Sequence, residues 1–447
     1  MTTEQGQSNY PDQLIELLRK AEQGAWADLP KITGWRFSVS EGRSVTLSIV
    51  DNKLGDVYGP PTARDSLGGG IYIIWEDNKR TSTSIDRRTI PEFEERLQEW
   101  RASAFDEEHG PDIREPEPSY PEVAMFDEKI KTLADGDTTL FFQILQQGYK
   151  ELRASGVEFV DAGCSAGASY NYLRNSKGLN VSYPSTSFSF SFYADSLYGN
   201  GYSKRKLYPE GEVERIIEDV KRTTALLKET GKYKPNPQGD RVVLDTGITG
   251  SFLNTFILGN LYGSGVANGQ SAFKLDDFRE HKQIMRPDMN LVLDGTRPYE
   301  YSASRLTSEG IPGGREPLVE KGKLVTPILD LKYSGITGFA PTRSGGSYFE
   351  IDEPEKISLE ELIKRVDNGL LVYSLLGMHT QDGTSGRYSV GAPKSLVIEN
   401  GELKGKVKAT LVGNFFENVM DERSRFGWDP HEDNPAMEMT CQVIIEE

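Results

Sequence analysis

The side chains that could do chemistry here are four histidines, two cysteines and an excess of carboxylates. A zinc peptidase needs two His at fixed spacing to hold the ion, plus a Glu to activate the bound water. His109, His281, His379 and His431 are followed four residues on by Ile113, Met285, Gly383 and Pro435, and five residues on by Arg114, Arg286, Thr384 and Ala436. Neither HExxH nor HExxxH exists; His431-Glu432 opens such a motif and then fails. There is no GxSxG elbow for a serine nucleophile. Gly163-Cys164-Ser165-Ala166-Gly167 reads as a small-residue turn, with Cys164 a loop or buried thiol, and Cys441 is too distant to form a CxxC site with it. Ser374, His379 and Asp382 lie close in sequence, but a triad is defined in space. Gly68-Gly69-Gly70 stands before a strand instead of a helix N-terminus, so it reads as a turn or bulge and not as a phosphate cradle. The Gly-rich stretch 259–269 follows a helix, which is also the wrong order. Acid pairs such as Asp276-Asp277 and Glu360-Glu361 read as solvated faces.

These groups must be held by elements that the apolar periodicity predicts. Leu14, Leu17, Leu18 and Ala21 share one face of a helix over 13–22. Strands are expected at 35–39, 44–50 and 71–75, then a turn at 76–79 and a strand at 80–85. Pro91 suits the start of a second helix carrying Phe93, Leu97 and Trp100. Residues 106–121, rich in acid and proline, read as a surface loop, and 138–153 as a helix. Phe188, Phe190 and Phe192 alternate with serines, the period of a half-buried strand. A helix over 212–229 is expected to end at Gly231, and the Pro- and Gly-containing stretch 232–240 reads as a domain boundary. Beyond it come a strand at 242–244, an apolar helix at 251–261, and mostly strands and Gly turns. Ser358 and Glu361 form a capping box for a helix closed by Asn368-Gly369. The fold class read here is α+β: an N-terminal α/β domain with an antiparallel sheet and helices over 10–231, and a mostly β C-terminal domain over 240–447.

Charge narrows the partners. Against 51 Lys and Arg stand 68 Asp and Glu, a net charge of −17 over 447 residues. That disfavours a nucleic-acid surface and docking on anionic lipid. No apolar run reaches the ~18 residues of a membrane helix. Residues 1–9 lack the apolar stretch of a signal peptide, so the expected compartment is the cytoplasm.

Several stretches together resemble the TldD/PmbA family, once described as modulators of DNA gyrase and now regarded as a peptidase family. Leu173-Arg174-Asn175-Ser176-Lys177-Gly178, followed by the Phe-rich strand and Gly201-Tyr202, is similar to the family's Asn-Ser turn and its next strand. The run from Asp294-Gly295-Thr296 through Ser308-Glu309-Gly310-Ile311-Pro312 to Leu318–Leu324 resembles a second segment. Gly377-Met378-His379, Ser385-Gly386-Arg387-Tyr388-Ser389, Ile398-Glu399-Asn400-Gly401-Glu402 and Val412-Gly413-Asn414 resemble a third. The resemblance spans roughly residues 10–447. It implies two branches. TldD-like members hold zinc with HExxxH and a later Cys; PmbA-like (TldE-like) members lack these and pair with a TldD-like chain. The place for HExxxH is residues 251–274, which contain no His and no Glu, and Cys441 lies outside the family's Cys-Lys context. The resemblance is therefore to the PmbA/TldE branch. Thr307-Ser308 and Arg387 stand where two family motifs carry Asp, which marks a divergent member.

The resemblance implies a non-catalytic subunit of a TldD/TldE-type metallopeptidase. It implies no metal or catalytic residue in this chain, with zinc in a TldD-like HExxxH partner and extended, unfolded peptide as substrate. A dimer or higher oligomer is expected. His379, Asp382 and Arg387 are the candidate contacts to peptide or partner; the competing reading is that they stabilise a Gly-rich turn. Asn175–Gly178 and Asn400-Gly401 read as tight turns. The alternative functions are a homo-oligomeric peptide-binding or scaffold protein without a peptidase partner, and an autonomous hydrolase with a site the motifs do not reveal.

Overall fold

The computed structural model describes residues 9–54, 62–352, 357–428 and 434–446. His431, Glu432 and the first eight residues lie outside these.

The first half is built on one antiparallel sheet. Its strand order is Arg80–Asp86, Thr62–Trp75, Ile32–Val50, Val160–Asn175, Asn180–Ala194 and Tyr198–Lys204, with the short strand Lys53–Leu54 also paired to Ile32–Val50. The two strands expected at 35–39 and 44–50 are one. Its alternating apolar residues fall into two groups separated by Glu41-Gly42-Arg43. Trp35, Phe37 and Val39 pack with Leu14, Leu18, Leu97 and Trp100 of the helices Tyr10–Glu22 and Phe93–Ala102. Val45, Leu47 and Ile49 join Phe188, Phe190 and Phe192 beneath the helices Thr139–Ala154 and Glu212–Lys228.

The reverse face carries small residues. Thr46, Ser165, Ser189 and Ser203 stand in one row across four strands. Gly68-Gly69-Gly70 is neither turn nor bulge but lies inside the strand Thr62–Trp75. A Cβ on Gly69 would collide with the Ser38 carbonyl, so glycine is required by the close approach of the neighbouring strand. Gly163–Gly167 is likewise strand, not turn, and Cys164 points into the apolar core. Gly231 does not cap the preceding helix; its N–H donates to Lys406 O at 2.9 Å and its Cα lies against Gly405.

The second half contains two sheets. A four-stranded one runs Lys323–Leu324, Arg315–Glu320, Met289–Asp294, Gly346–Ile351. The other runs Glu402–Asn414, Arg387–Glu399, Asn368–Val372, Asp240–Leu244, Ala436–Ile445, Arg425–Gly427. Because Glu402–Asn414 also pairs with Ala436–Ile445, five of these strands close into a ring. Asn368-Gly369, expected to end a helix, instead opens the strand that pairs in parallel with Asp240–Leu244. The capping box holds: Ser358 Oγ accepts from Glu361 N, and Glu361 Oε2 accepts from Ser358 N at 2.8 Å. Asn400 and Gly401 have φ of 51° and 76°, the left-handed pair a tight two-residue hairpin needs.

Half-buried ion pairs join the two halves, among them Arg36–Glu309 at 2.7 Å, Lys204–Glu300 at 2.6 Å and Lys332–Glu107 at 3.0 Å. Leu227 packs with Val243, Leu371 and Leu396 in an apolar cluster that spans them. Both cysteines are free and buried, in separate cores, so no disulfide links them. Burial pushes the Cys441 thiol up to about 12 and Cys164 further still, which keeps both protonated and inert at neutral pH. No helix among the described residues is long and apolar enough to cross a membrane.

Candidate functional site

The stretch expected to be one helix over 251–261 is three segments in series: an α-helix at Thr246–Phe252, a π-helical turn at Leu253–Ile257 and a 3-10 turn at Leu258–Leu261. Asp245 caps its start, accepting from Gly247 N at 3.1 Å. Phe252 and Phe256 fix its apolar side, with ring centroids 5.0 and 6.3 Å from Tyr388 and 5.2 and 5.7 Å from Phe415.

Against this segment lies the loop that carries His379, Asp382 and Arg387. Asn260 makes the junction. Only 3% exposed, it donates from Nδ2 to Phe256 O and Gly383 O, both at 2.8 Å, and accepts from Ala272 N at 2.7 Å. A Cβ on Gly383 would lie 2.8 Å from Thr255 O, so the loop touches the π-helical turn directly. Sequence reasoning missed Asn260. The available signal was one amide among Phe252, Leu253, Phe256, Ile257 and Leu261, which cannot be buried without partners.

The loop is stitched by its own side chains. Asp382 Oδ1 accepts from Thr384 Oγ1 at 2.7 Å and Thr384 N at 3.0 Å, and these bonds hold its carboxyl below the usual carboxylate range. Ser385 Oγ donates to Asp382 O and accepts from Arg387 N. Gln381 ties the loop back to Gly377 O and to Ser389 N. Asp382 thus spends its carboxylate on the turn. His379 and Arg387 are exposed, and no hydrogen bond among the described residues uses the His379 ring or the Arg387 guanidinium. None links Ser374, His379 and Asp382 either: the Ser374 hydroxyl is buried without a partner among the described residues.

His281 donates from Nδ1 to Leu324 O at 2.9 Å, and His109 is exposed on the 106–121 loop. Among the described residues no three His, Cys, Asp or Glu side chains converge as a metal site. The donors on residues 251–274 are hydroxyls, amides and a lysine beside Phe273, plus nothing stronger; such neutral oxygens do not fit zinc, which takes imidazole, thiolate or carboxylate.

The molecule so built is an α+β chain whose second half closes five strands into a ring. Residues 237–429 match the PmbA/TldA metallopeptidase C-terminal domain. Two proteins described as metalloprotease TldD homologs, from two Buchnera aphidicola subspecies (Acyrthosiphon pisum and Schizaphis graminum), are 28% identical over 42% of this chain and 25% identical over 57%. The chain spans 40% and 52% of those relatives. In fold it resembles TldE from Thermococcus kodakarensis, with a TM-score of 0.79, 18% identity, and coverage of 97% of this chain and 100% of that one. Residues 237–429 thus resemble the C-terminal domain of the TldD/PmbA family, and the chain as a whole shares the fold of TldE.

Proposed function

We propose that this chain is a non-catalytic, PmbA/TldE-like subunit of a cytosolic TldD/TldE-type metallopeptidase complex that acts on unfolded peptides. The observation that carries the reading is the donor set on residues 251–274. The helix and turns there have the family's fold, and they present hydroxyl and amide groups where a catalytic member would carry HExxxH. Zinc and its general base then belong to a TldD-like partner.

This chain's contribution is recognition. The exposed His379 imidazole and Arg387 guanidinium stand on a loop whose shape Asp382 and Asn260 hold, and they are free to contact peptide or partner main chain. Extended peptide bound by strand addition gains main-chain hydrogen bonds with little dependence on sequence. The charge of −17 favours neutral or basic peptide and argues against direct contact with DNA.

The test is zinc per chain in protein purified alone without chelator or His-tag, followed by co-expression with a TldD-like HExxxH chain. Near-zero zinc alone, a complex by native mass spectrometry, and cleavage of an unfolded peptide only by the pair are expected. Zinc near one per chain, or cleavage by this chain alone, would overturn the reading in favour of an autonomous hydrolase. Homo-oligomers that ignore the co-expressed chain would favour a scaffold.

A further inference from the structure

A cleft of about 800 Å³ opens where the two halves meet, far larger than a water site and within the range of small-molecule pockets. From the first half it is lined by Tyr198, Asn200 and Asp219, and from the second by Asp245, Tyr373 and Ser374. The sequence reading gave none of these a role except Ser374, in a triad that does not form.

The cleft combines aromatic walls with carboxylates. The Tyr198 and Tyr373 rings meet edge to face with centroids 5.1 Å apart. Asp219 Oδ2 accepts from Tyr198 OH at 2.9 Å and Asn200 Nδ2 at 2.8 Å. Asp245 holds its oxygen on the start of the helix Thr246–Phe252. Burial raises both phenols first, and the negative charges of Asp219 and Asp245 raise them further, so each hydroxyl senses both carboxylates.

The cations in the lining are already engaged. Arg215 forms a two-pronged pair with Glu212 at 2.8 and 2.9 Å. Arg222 is shared between Asp219 at 3.5 Å and Glu360 at 3.4 Å, one guanidinium for two carboxylates. Lys394 is tied to Tyr193 OH at 3.0 Å and Ser196 O at 2.9 Å. The Ser374 hydroxyl, without a partner among the described residues, is closed off behind this wall and adds nothing to it.

We propose that this cleft binds an alkylammonium group, held between the carboxylates of Asp219 and Asp245 with the tyrosine rings around its carbon chain. A cation over aromatic faces and beside carboxylates is favoured by both the ring quadrupoles and the local charge. An anion of the same size would meet the same carboxylates and be repelled. The ammonium comes either from a free diamine or from the lysine side chain of a peptide. The site is separate from the loop of His379 and does not depend on the metallopeptidase reading.

The experiment titrates the full chain with 1,5-diaminopentane, with the blocked peptide acetyl-Ala-Lys-Ala-amide, and with glutarate as the anionic counterpart, followed by ligand-detected NMR and calorimetry. One or both amines should bind and glutarate should not; which amine binds identifies the source. Asp245→Asn keeps a good helix cap and removes the charge, so it should weaken amine binding by about tenfold or more, as expected for one charge-assisted hydrogen bond. Asp219→Asn should do the same, with thermal unfolding as the check that each variant is folded. Glutarate binding in place of amine, no amine binding at 10 mM, or amine binding unchanged in both folded variants would overturn the proposal.

Discussion

The two halves of the molecule solve the same problem with opposite sheets. The first half keeps its main sheet open: helices cover one face, and the other is left to serine, threonine and glycine. The second half closes five strands into a ring and buries the apolar residues of the helix Thr246–Phe252 and its π-helical turn against it. An open sheet must be covered from outside, so its core depends on helices brought from elsewhere in the chain. A closed sheet has fewer edges to protect and can devote a helix to holding a loop. The candidate site accordingly sits on the ring, where Asn260 pins the His379 loop. The interdomain cleft sits where the edge strand Tyr198–Lys204 meets the second half.

Removing one phenylalanine from each core tests that contrast most strongly. Phe252→Ala and Phe190→Ala should each cost about 3–5 kcal/mol, read by urea or thermal unfolding. Both residues are fully buried among other rings. Because Leu227 and its neighbours bridge the halves, both variants should lower one shared transition. Two separate transitions would break the comparison and show that the sheets fold independently.

A smaller loss is expected at the junction. Asn260→Ala leaves Gly383 O and Ala272 N without their buried partner and should cost about 1–3 kcal/mol. Proteolysis should then cut the loop of residues 377–386 sooner than in the parent protein. Unchanged cleavage there would mean that the ring does not need Asn260 to hold the loop.

The open half has its own electrostatic clasp. Burial acts to raise the Asp195 carboxyl, but the Lys228 ammonium at 2.6 Å and the Phe159 and Glu158 amides outweigh it and hold it low. A depressed folded-state pKa contributes stability that is present above the unfolded value of about 3.9 and is lost as pH falls through the folded value. Asp195→Asn should therefore cost about 1 kcal/mol at pH 7, a figure reduced for the partly exposed Lys228. The difference from the parent protein should shrink below pH 4; a constant difference would show that the charge contributes nothing.

The smallest effect belongs to the second half. Ser358→Ala removes the hydroxyl that accepts from Glu361 N and should cost between about 0.5 and 1 kcal/mol by denaturant titration. A cost as large as that of Asn260→Ala would mean that this short helix, on the wall of the interdomain cleft, matters more to the second half than the loop junction does.

Much of the local structure was legible in residue patterns. Leu14 and Leu18 marked a helix face, the Phe188–Phe192 alternation marked a half-buried strand, and Ser358 with Glu361 marked a helix start. Those signals work because each reflects contacts within a few residues. Gly68-Gly69-Gly70 misled because the need for glycine comes from Ser38 on the neighbouring strand, 31 residues before Gly69 in the chain and invisible to any local pattern. Asn368-Gly369 misled for a related reason: a turn-like pair was drawn into a strand by Glu399 and Ile398 on one side and, at Gly369, by Arg241 on the other.

By itself the sequence determined the donor chemistry: which residues are absent from 251–274, the acidic balance, and the amphipathic periods that make each helix and strand. Those are properties of side-chain type and near-neighbour spacing. Only the tertiary structure decided that five strands close into a ring, that Asn260 reaches Gly383 across 123 residues, and that Asp219 and Asp245 face one cleft from two halves of the chain. Such pairings depend on register, coverage and the meeting of distant surfaces. Their energies are summed over many weak contacts, so no single stretch of sequence carries them.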